Sequence, residues 1–150
     1  MDEFYMEEAL KEAEKAYSTY EVPVGAIIVY HGQIIVRGYN QKESLRDPTA
    51  HAEIMAIKEA SRYLGAWRLM DCTMYVTLEP CAMCAGAIVN SRIDRLVIGA
   101  RDQKRGCAGT VEDLTNHPQF NHRVKVEFGV LEEECSQILS RFFKELREEK

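Results

Sequence analysis

Two short segments hold residue types that could do chemistry together: His51-Ala52-Glu53 and, thirty residues on, Pro80-Cys81-Ala82-Met83-Cys84. Cys81 and Cys84 stand at i and i+3, so at the start of a helix both sulfurs lie on one face and can close on one metal ion. The imidazole of His51 completes three protein ligands. A structural zinc site fills all four tetrahedral positions with protein, whereas a catalytic one leaves the fourth to water, so one His with two Cys implies an open, reactive ion. Glu53, two residues from the imidazole, is close enough to serve that water as a base. A Cys-x-x-Cys alone is ambiguous, because redox pairs and structural zinc knuckles use it too. A redox pair leaves His51 and Glu53 unexplained, and a closed structural site needs a fourth ligand that Cys72, Cys107 and Cys135 do not offer at paired spacing.

The elements that must position these groups are legible from periodicity. Residues 3–20 place Phe4, Met6, Ala9, Leu10, Ala13, Ala16, Tyr17 and Tyr20 at near-helical spacing, which predicts an amphipathic helix. Residues 24–30 and 33–39 read as two strands joined by a tight turn at His31-Gly32. Asp47-Pro48-Thr49 then ends one element and can cap the next, and a helix is predicted over 49–63, before Gly65, with His51 and Glu53 in its first turn. Residues 72–78 are β-branched and aromatic enough for a strand, Pro80 suits a helix start, and 81–90 continue as that helix. Two helices, each following an extended segment, thereby bring their N-termini to one ion. The free N–H groups and partial positive charge there favour anionic partners and lower thiolate pKa values. Residues 95–100 and 125–130 are further strands and 131–150 a closing helix, while 101–123 is a polar connection of a length usually functional. Such alternation implies an α/β sheet with helices on both faces, at least partly parallel.

With 150 residues, 46% of them hydrophobic, the chain fits one domain spanning 1–150 with a single core. Met1-Asp2-Glu3-Phe4 is acidic where a signal peptide would be basic, and no apolar run is long enough to span a bilayer, so a cytoplasmic location and no membrane partner are expected. An odd cysteine count of five without an export signal favours metal ligation over a disulfide framework. The net charge of −5 argues mildly against a nucleic-acid partner. Its distribution matters more: between Arg92 and Lys125 seven basic residues face four acidic ones. Asn40, in the loop ahead of the first metal helix, could turn the chain or hydrogen-bond a base edge. Phe142 and Phe143 point about 100° apart on a helix, so both cannot occupy the centre of one buried stripe, leaving one able to stack on a base.

His-x-Glu followed by Pro-Cys-x-x-Cys is the signature of the zinc-dependent nucleobase deaminases, in which the glutamate is general acid and base and not a ligand. The longer runs Asp47-Pro-Thr-Ala-His-Ala-Glu-Ile-Met-Ala56, Tyr75-Val-Thr-Leu-Glu-Pro-Cys-Ala-Met-Cys-Ala-Gly-Ala87, Gly99-Ala-Arg-Asp102 and Asn121-His-Arg123 make the chain resemble, over nearly its whole length, the bacterial tRNA-specific adenosine deaminases. The resemblance implies a three-layer α/β/α cytidine deaminase-like fold with a five-stranded mixed sheet. It implies a homodimer, one zinc ion per subunit, and the tRNA anticodon stem-loop as partner, its wobble adenosine becoming inosine with release of ammonia. Carried over by position, His51, Cys81 and Cys84 match the zinc ligands and Glu53 the proton shuttle. Asn40 matches a base-contacting asparagine and Val24 a pocket-wall valine. Asp102 and Lys104 fall in an RNA-contacting loop, His122 and Arg123 in a polar segment near the anticodon stem, and Phe142 matches an aromatic beside the flipped nucleotides. Backbone N–H groups near Ala52 and Cys81 are further candidates to hold oxygen atoms of the reacting centre. Two other readings stay open at this point: a deaminase of free bases or nucleosides with the same zinc chemistry, and an RNA-binding module whose zinc is purely structural.

Overall fold

Alternation along the strands decides which helix packs where. The computed structural model describes residues 1–149 and holds five strands: β1 (Gly25–Tyr30), β2 (Gln33–Tyr39), β3 (Cys72–Leu78), β4 (Arg95–Ala100) and β5 (Lys125–Phe128). Ala26 and Ile28 of β1, Met74 and Val76 of β3, and Leu96 and Ile98 of β4 point to one face of the sheet, where they form a core with α3 (Ala52–Leu64) and α4 (Ala82–Asn90). The intervening Ile27, Val29, Tyr75 and Val97 point to the other face, where α1 (Asp2–Ser18) and α5 (Glu132–Glu148) cover them with Tyr5, Met6, Ala9 and Cys135. Each large aliphatic side chain fully buried this way contributes roughly 1.5–3 kcal/mol. The result is the three-layer α/β/α arrangement that the resemblance implies.

The strands lie in the order β2-β1-β3-β4-β5. β1 runs antiparallel to β2 and β3, while β3, β4 and β5 are mutually parallel, so the sheet is mixed. This topology gathers chain segments at one edge. The carboxyl ends of β3 and β4 pair as Leu78 with Ala100. The antiparallel β1 begins beside them, its Gly25 N–H donating to Thr77 Oγ1 at 3.1 Å, and the end of β2 delivers Asn40, whose N–H donates to the Val24 carbonyl. In open α/β sheets ligands bind at the carboxyl ends of parallel strands, beyond the last paired residues.

Several boundaries differ from the sequence reading. The helix predicted over 49–63 starts at Ala52, with His51 in extended conformation as its N-cap, and Cys81 likewise caps α4 rather than belonging to it. A four-residue helix, α2 (Lys42–Leu45), stands in the polar stretch after β2, where no periodicity announced it. β5 stops at Phe128, ahead of Gly129 with its positive φ. The 101–123 connection stays irregular apart from one antiparallel bridge between Ala108 and Asp113. The closing helix begins at Glu132, and Lys150, the last residue of the predicted span, lies outside the described residues.

Candidate metal centre and active site

The helix that brings His51 to the site lies unusually close to the sheet, and small residues allow it. Ala52, Ala56 and Ala60 recur at four-residue spacing on the buried face of α3. Opposite them is Gly38 of β2, where an added Cβ would stand 2.6 Å from the Ala52 carbonyl oxygen and 3.0 Å from Ala56 N. Asn40 fixes the same end of the helix: its Oδ1 accepts the Ala52 N–H at 3.2 Å while its Nδ2 donates to the Val22 carbonyl. The first intrahelical bonds, Met55 N–H to His51 O and Ala85 N–H to Cys81 O, are accepted by the carbonyls of His51 and Cys81 themselves. His51 and Cys81 thus sit at the mouths of two helices, with Cys84 one turn in.

The donor atoms converge as a tetrahedral ion requires. His51 Nδ1 lies 3.7 Å from Cys81 Sγ and 3.5 Å from Cys84 Sγ. Nitrogen and sulfur bound to one zinc at about 2.0 and 2.3 Å in tetrahedral geometry stand about 3.5 Å apart. Among the described residues this trio, with donor atoms all within 4.8 Å of one another, is the metal-competent cluster of His, Cys, Asp or Glu side chains. The three donors already share protons, and the Cys81 thiol gives its own up most readily. Hydrogen bonding from the Cys84 thiol and from His51 holds Cys81 down at about 3, and the same Cys81 sulfur, with burial, pushes Cys84 up. Hydrogen bonding to Cys81 raises His51. A metal replaces those shared protons with one stronger charge.

Glu53 projects from the first turn of α3 into the same place and is 4% exposed. Burial pushes its carboxyl up to about 7, against which a hydrogen bond from its own backbone N–H and the neighbouring His51 pull it down. A carboxyl that exchanges its proton near neutrality is suited to general acid and base work.

Over the trio opens a cavity of about 680 Å³, with His51, Glu53 and Cys81 at its floor. Such a volume accommodates a heterocyclic base. Val22, Val24 and Leu78 line one wall, and Leu139, Phe143 and Leu146 of α5 supply an apolar wall of their own. The rim is basic. Lys42, Arg101, Lys104, Arg105 and Arg147 line it against a single acidic residue that is not buried, Asp102, in a chain whose net charge is −5.

Of the residues singled out by sequence, Asn40, Val24, Asp102 and Lys104 line this cavity with His51, Cys81 and Glu53. Ala52 is fully buried and its N–H is taken by Asn40, so it is not open to a substrate oxygen. Phe142 and Phe143 divide as their 100° separation requires. Phe142 is buried against Tyr17 of α1, and Phe143 lines the cavity wall. His122 and Arg123 lie away from the cavity lining, and His122 Nε2 is bound to the Ile93 carbonyl at 2.8 Å, a tether for the loop before β5. Sequence reasoning missed Arg147, Leu139 and Leu146 as cavity residues, although Leu139 and Leu146 stand with Phe143 at i, i+4, i+7 beside the buried Cys135, Ile138 and Phe142 stripe and could have separated the two.

Known proteins with this arrangement are numerous. Residues 1–100 match the cytidine and deoxycytidylate deaminase zinc-binding region. The tRNA-specific adenosine deaminase of Bacillus subtilis (strain 168) is 54% identical over 149 residues, covering 99% of this chain and 92% of that protein. That of Aquifex aeolicus (strain VF5) is 51% identical over 145 residues, covering 97% and 95%. A solved structure from studies of A-to-I editing by tRNA:A34 deaminases at the wobble position of transfer RNA superposes with a TM-score of 0.88 and 44% identity, over 91% of this chain and 99% of that one. The chain therefore belongs to the cytidine and deoxycytidylate deaminase zinc-binding family and, within it, to the tRNA-specific adenosine deaminases.

Proposed function

We propose that this protein is a zinc-dependent hydrolase that deaminates the wobble adenosine of tRNA to inosine, with one zinc ion per subunit held by His51, Cys81 and Cys84. The observation that carries the reading is a basic rim set around a base-sized cavity with a buried carboxylate at its floor. An acidic protein that concentrates its cations at one mouth attracts a polyanion there, and free bases would not call for it.

When bound, zinc lowers the pKa of a coordinated water toward neutrality. With the ion held by His51, Cys81 and Cys84, Glu53 would accept a proton from the attacking water on a carboxylate oxygen as C6 of the flipped-out adenine is attacked. It gives that proton to the ring nitrogen N1, and then carries the proton of the new C6 hydroxyl to the departing amine, so that adenosine and water become inosine and ammonia. Asn40 holds α3 and, with its remaining amide hydrogen, meets a base edge. Val24 and Phe143 flank the ring, and Asp102, Lys104, Arg101 and Arg147 meet the flanking backbone and sugars. Water is excluded around the base by the apolar wall of α5.

The chain acts as a single domain spanning 1–150, supported by one sheet carrying the core on both of its faces. It works in the cytoplasm as a homodimer, a reading that follows from the family. Among the described residues no helix is long and apolar enough to cross a membrane.

The deciding experiment measures inosine in purified tRNA carrying a wobble adenosine, beside free adenosine, guanine and cytidine, with and without a zinc chelator. The expected result is inosine at that position alone, abolished by chelation and restored by zinc. Deamination of a free base with the tRNA untouched would keep the zinc chemistry and overturn the substrate.

A further inference from the structure

The loop that supplies most of the basic rim has almost no regular structure, yet its root is buried at Gly106, Cys107 and Ala108. One side chain accounts for this. Glu79, between β3 and the Pro80-Cys81 start of α4, is 2% exposed and spends both carboxylate oxygens on the loop. Oε1 accepts the Asp102 N–H at 3.1 Å and the Thr110 hydroxyl, and Oε2 accepts the Ala108 N–H at 3.0 Å and the Thr110 N–H at 3.1 Å. The loop is shaped to admit it. A Cβ on Gly106 would stand 2.5 Å from Glu79 Oε1 and 2.6 Å from the Asp102 carbonyl oxygen, so only glycine fits there. The next residue of each segment continues the seam, Cys107 N–H donating to the Pro80 carbonyl at 2.9 Å. Asp102, thus anchored, turns the rim by accepting the N–H groups of Lys104 and Arg105 on Oδ1.

We infer that Glu79 is a positioning residue for substrate binding: a buried carboxylate that suspends the 101–110 loop beside the metal helix and so sets the grip on RNA, not the chemical step. Hydrogen bonds to an ionised acceptor are roughly twice as strong as neutral ones. All four groups facing Glu79 are donors, so an amide of the same shape must turn its own NH2 against at least one of them and leave it unpaired. Without the anchor the loop's cations are no longer held in one array, and binding loses the advantage of a pre-formed site. The inference rests on the RNA reading for its kinetic consequence, whereas its structural consequence stands apart from it.

The test compares zinc-loaded wild type with Glu79→Gln and Thr110→Val, by amide hydrogen exchange and by steady-state deamination of an anticodon stem-loop RNA. In Glu79→Gln, exchange at Asp102, Ala108 and Thr110 should quicken by roughly tenfold or more, and KM for the RNA should rise roughly tenfold to hundredfold, with zinc content as in wild type and kcat changed far less. Thr110→Val, which removes one of the four donors, should move both readouts the same way and less. Native exchange in Glu79→Gln overturns the inference, as does a loss confined to kcat. Should Glu79→Gln fail to fold, Thr110→Val decides, and native exchange there overturns the inference. A wild type that leaves the RNA unmodified overturns the function instead, and the exchange arm still decides whether Glu79 holds the loop.

Discussion

At the scale of the residue, the roles proposed for Glu53 and for His51, Cys81 and Cys84 differ although the four lie in almost the same place, and substitution separates them. Glu53 is buried beside the sulfurs yet contributes no donor atom to the trio. Glu53→Gln keeps its volume and removes the proton carrier. General acid and base contributions run to about 10²–10⁴-fold, and one group serving several transfers sits at the upper end. We expect single-turnover inosine formation to fall by about 10³-fold or more while bound zinc remains stoichiometric by atomic absorption. A Glu53→Gln protein with near-normal turnover would remove Glu53 from the mechanism. The gathering of these four residues was legible in the sequence because metal and acid-base chemistry demand residue types that are rare at such spacing. The roles of Phe142 and Phe143 were less so: either can be buried, and the choice was made by Tyr17 of α1, a partner distant in sequence.

At the scale of the element, the site depends on how closely α3 lies on the sheet, and Gly38 controls that distance. The methyl of Gly38→Ala would enter the space of the Ala52 carbonyl oxygen, with the Met55 Cβ at 3.3 Å closing the remaining room. The helix must then lift at the end that carries His51, while Cys81 and Cys84, borne by α4, have no reason to follow. Overpacking of this kind costs about 1–3 kcal/mol, equivalent to a fall of roughly 3–10 °C in Tm for a chain of this size. Zinc affinity should fall with it, by roughly tenfold or more, since a ligand displaced by under an ångström already leaves tetrahedral geometry. Thermal melting and chelator competition measure the two together. Unchanged zinc retention in Gly38→Ala would mean that α3 does not set the position of His51. Periodicity located α3 and the strand beneath it, but not this contact. Gly38 reads in sequence as an ordinary interruption of a strand, and only the register of β2 under Ala52 gives it meaning. The short α2 escaped for a related reason, being held by tertiary bonds from the buried Glu21 carboxylate to the Glu43 and Ser44 N–H groups and not by an apolar stripe of its own.

At the scale of the whole molecule, the far side of the sheet from the metal centre is tied by an ionic cluster that no sequence pattern announced, because its members stand 93 and 32 residues from Arg95. The Arg95 guanidinium on β4 bonds both oxygens of Asp2 on α1, at 3.0 and 2.6 Å, and both of Glu127 on β5, at 3.1 and 2.7 Å. It thereby joins the first helix, a central strand and the edge strand. Hydrogen bonding to Arg95 pulls the Asp2 carboxyl down to about 2 and also lowers Glu127. A carboxyl whose folded value is depressed adds stability that is complete above its unfolded value near 4 and is lost as pH falls through the folded one. The wild type should therefore lose stability between about pH 4 and pH 2 on this account. Arg95→Met retains the apolar stem on β4 and removes the cation, returning both carboxyls toward their ordinary range. Partial exposure and solvent screening limit the cost, which we place at about 1–2 kcal/mol at pH 7, or a few degrees in Tm. The gap between mutant and wild type should close as pH is lowered from about 4 to 2, because the wild type then loses what the mutant already lacks. Urea unfolding across that range, followed by far-UV circular dichroism on protein matched for zinc content, measures it. A gap that stayed constant with pH would assign the cluster's contribution to packing of the arginine stem and not to its charges.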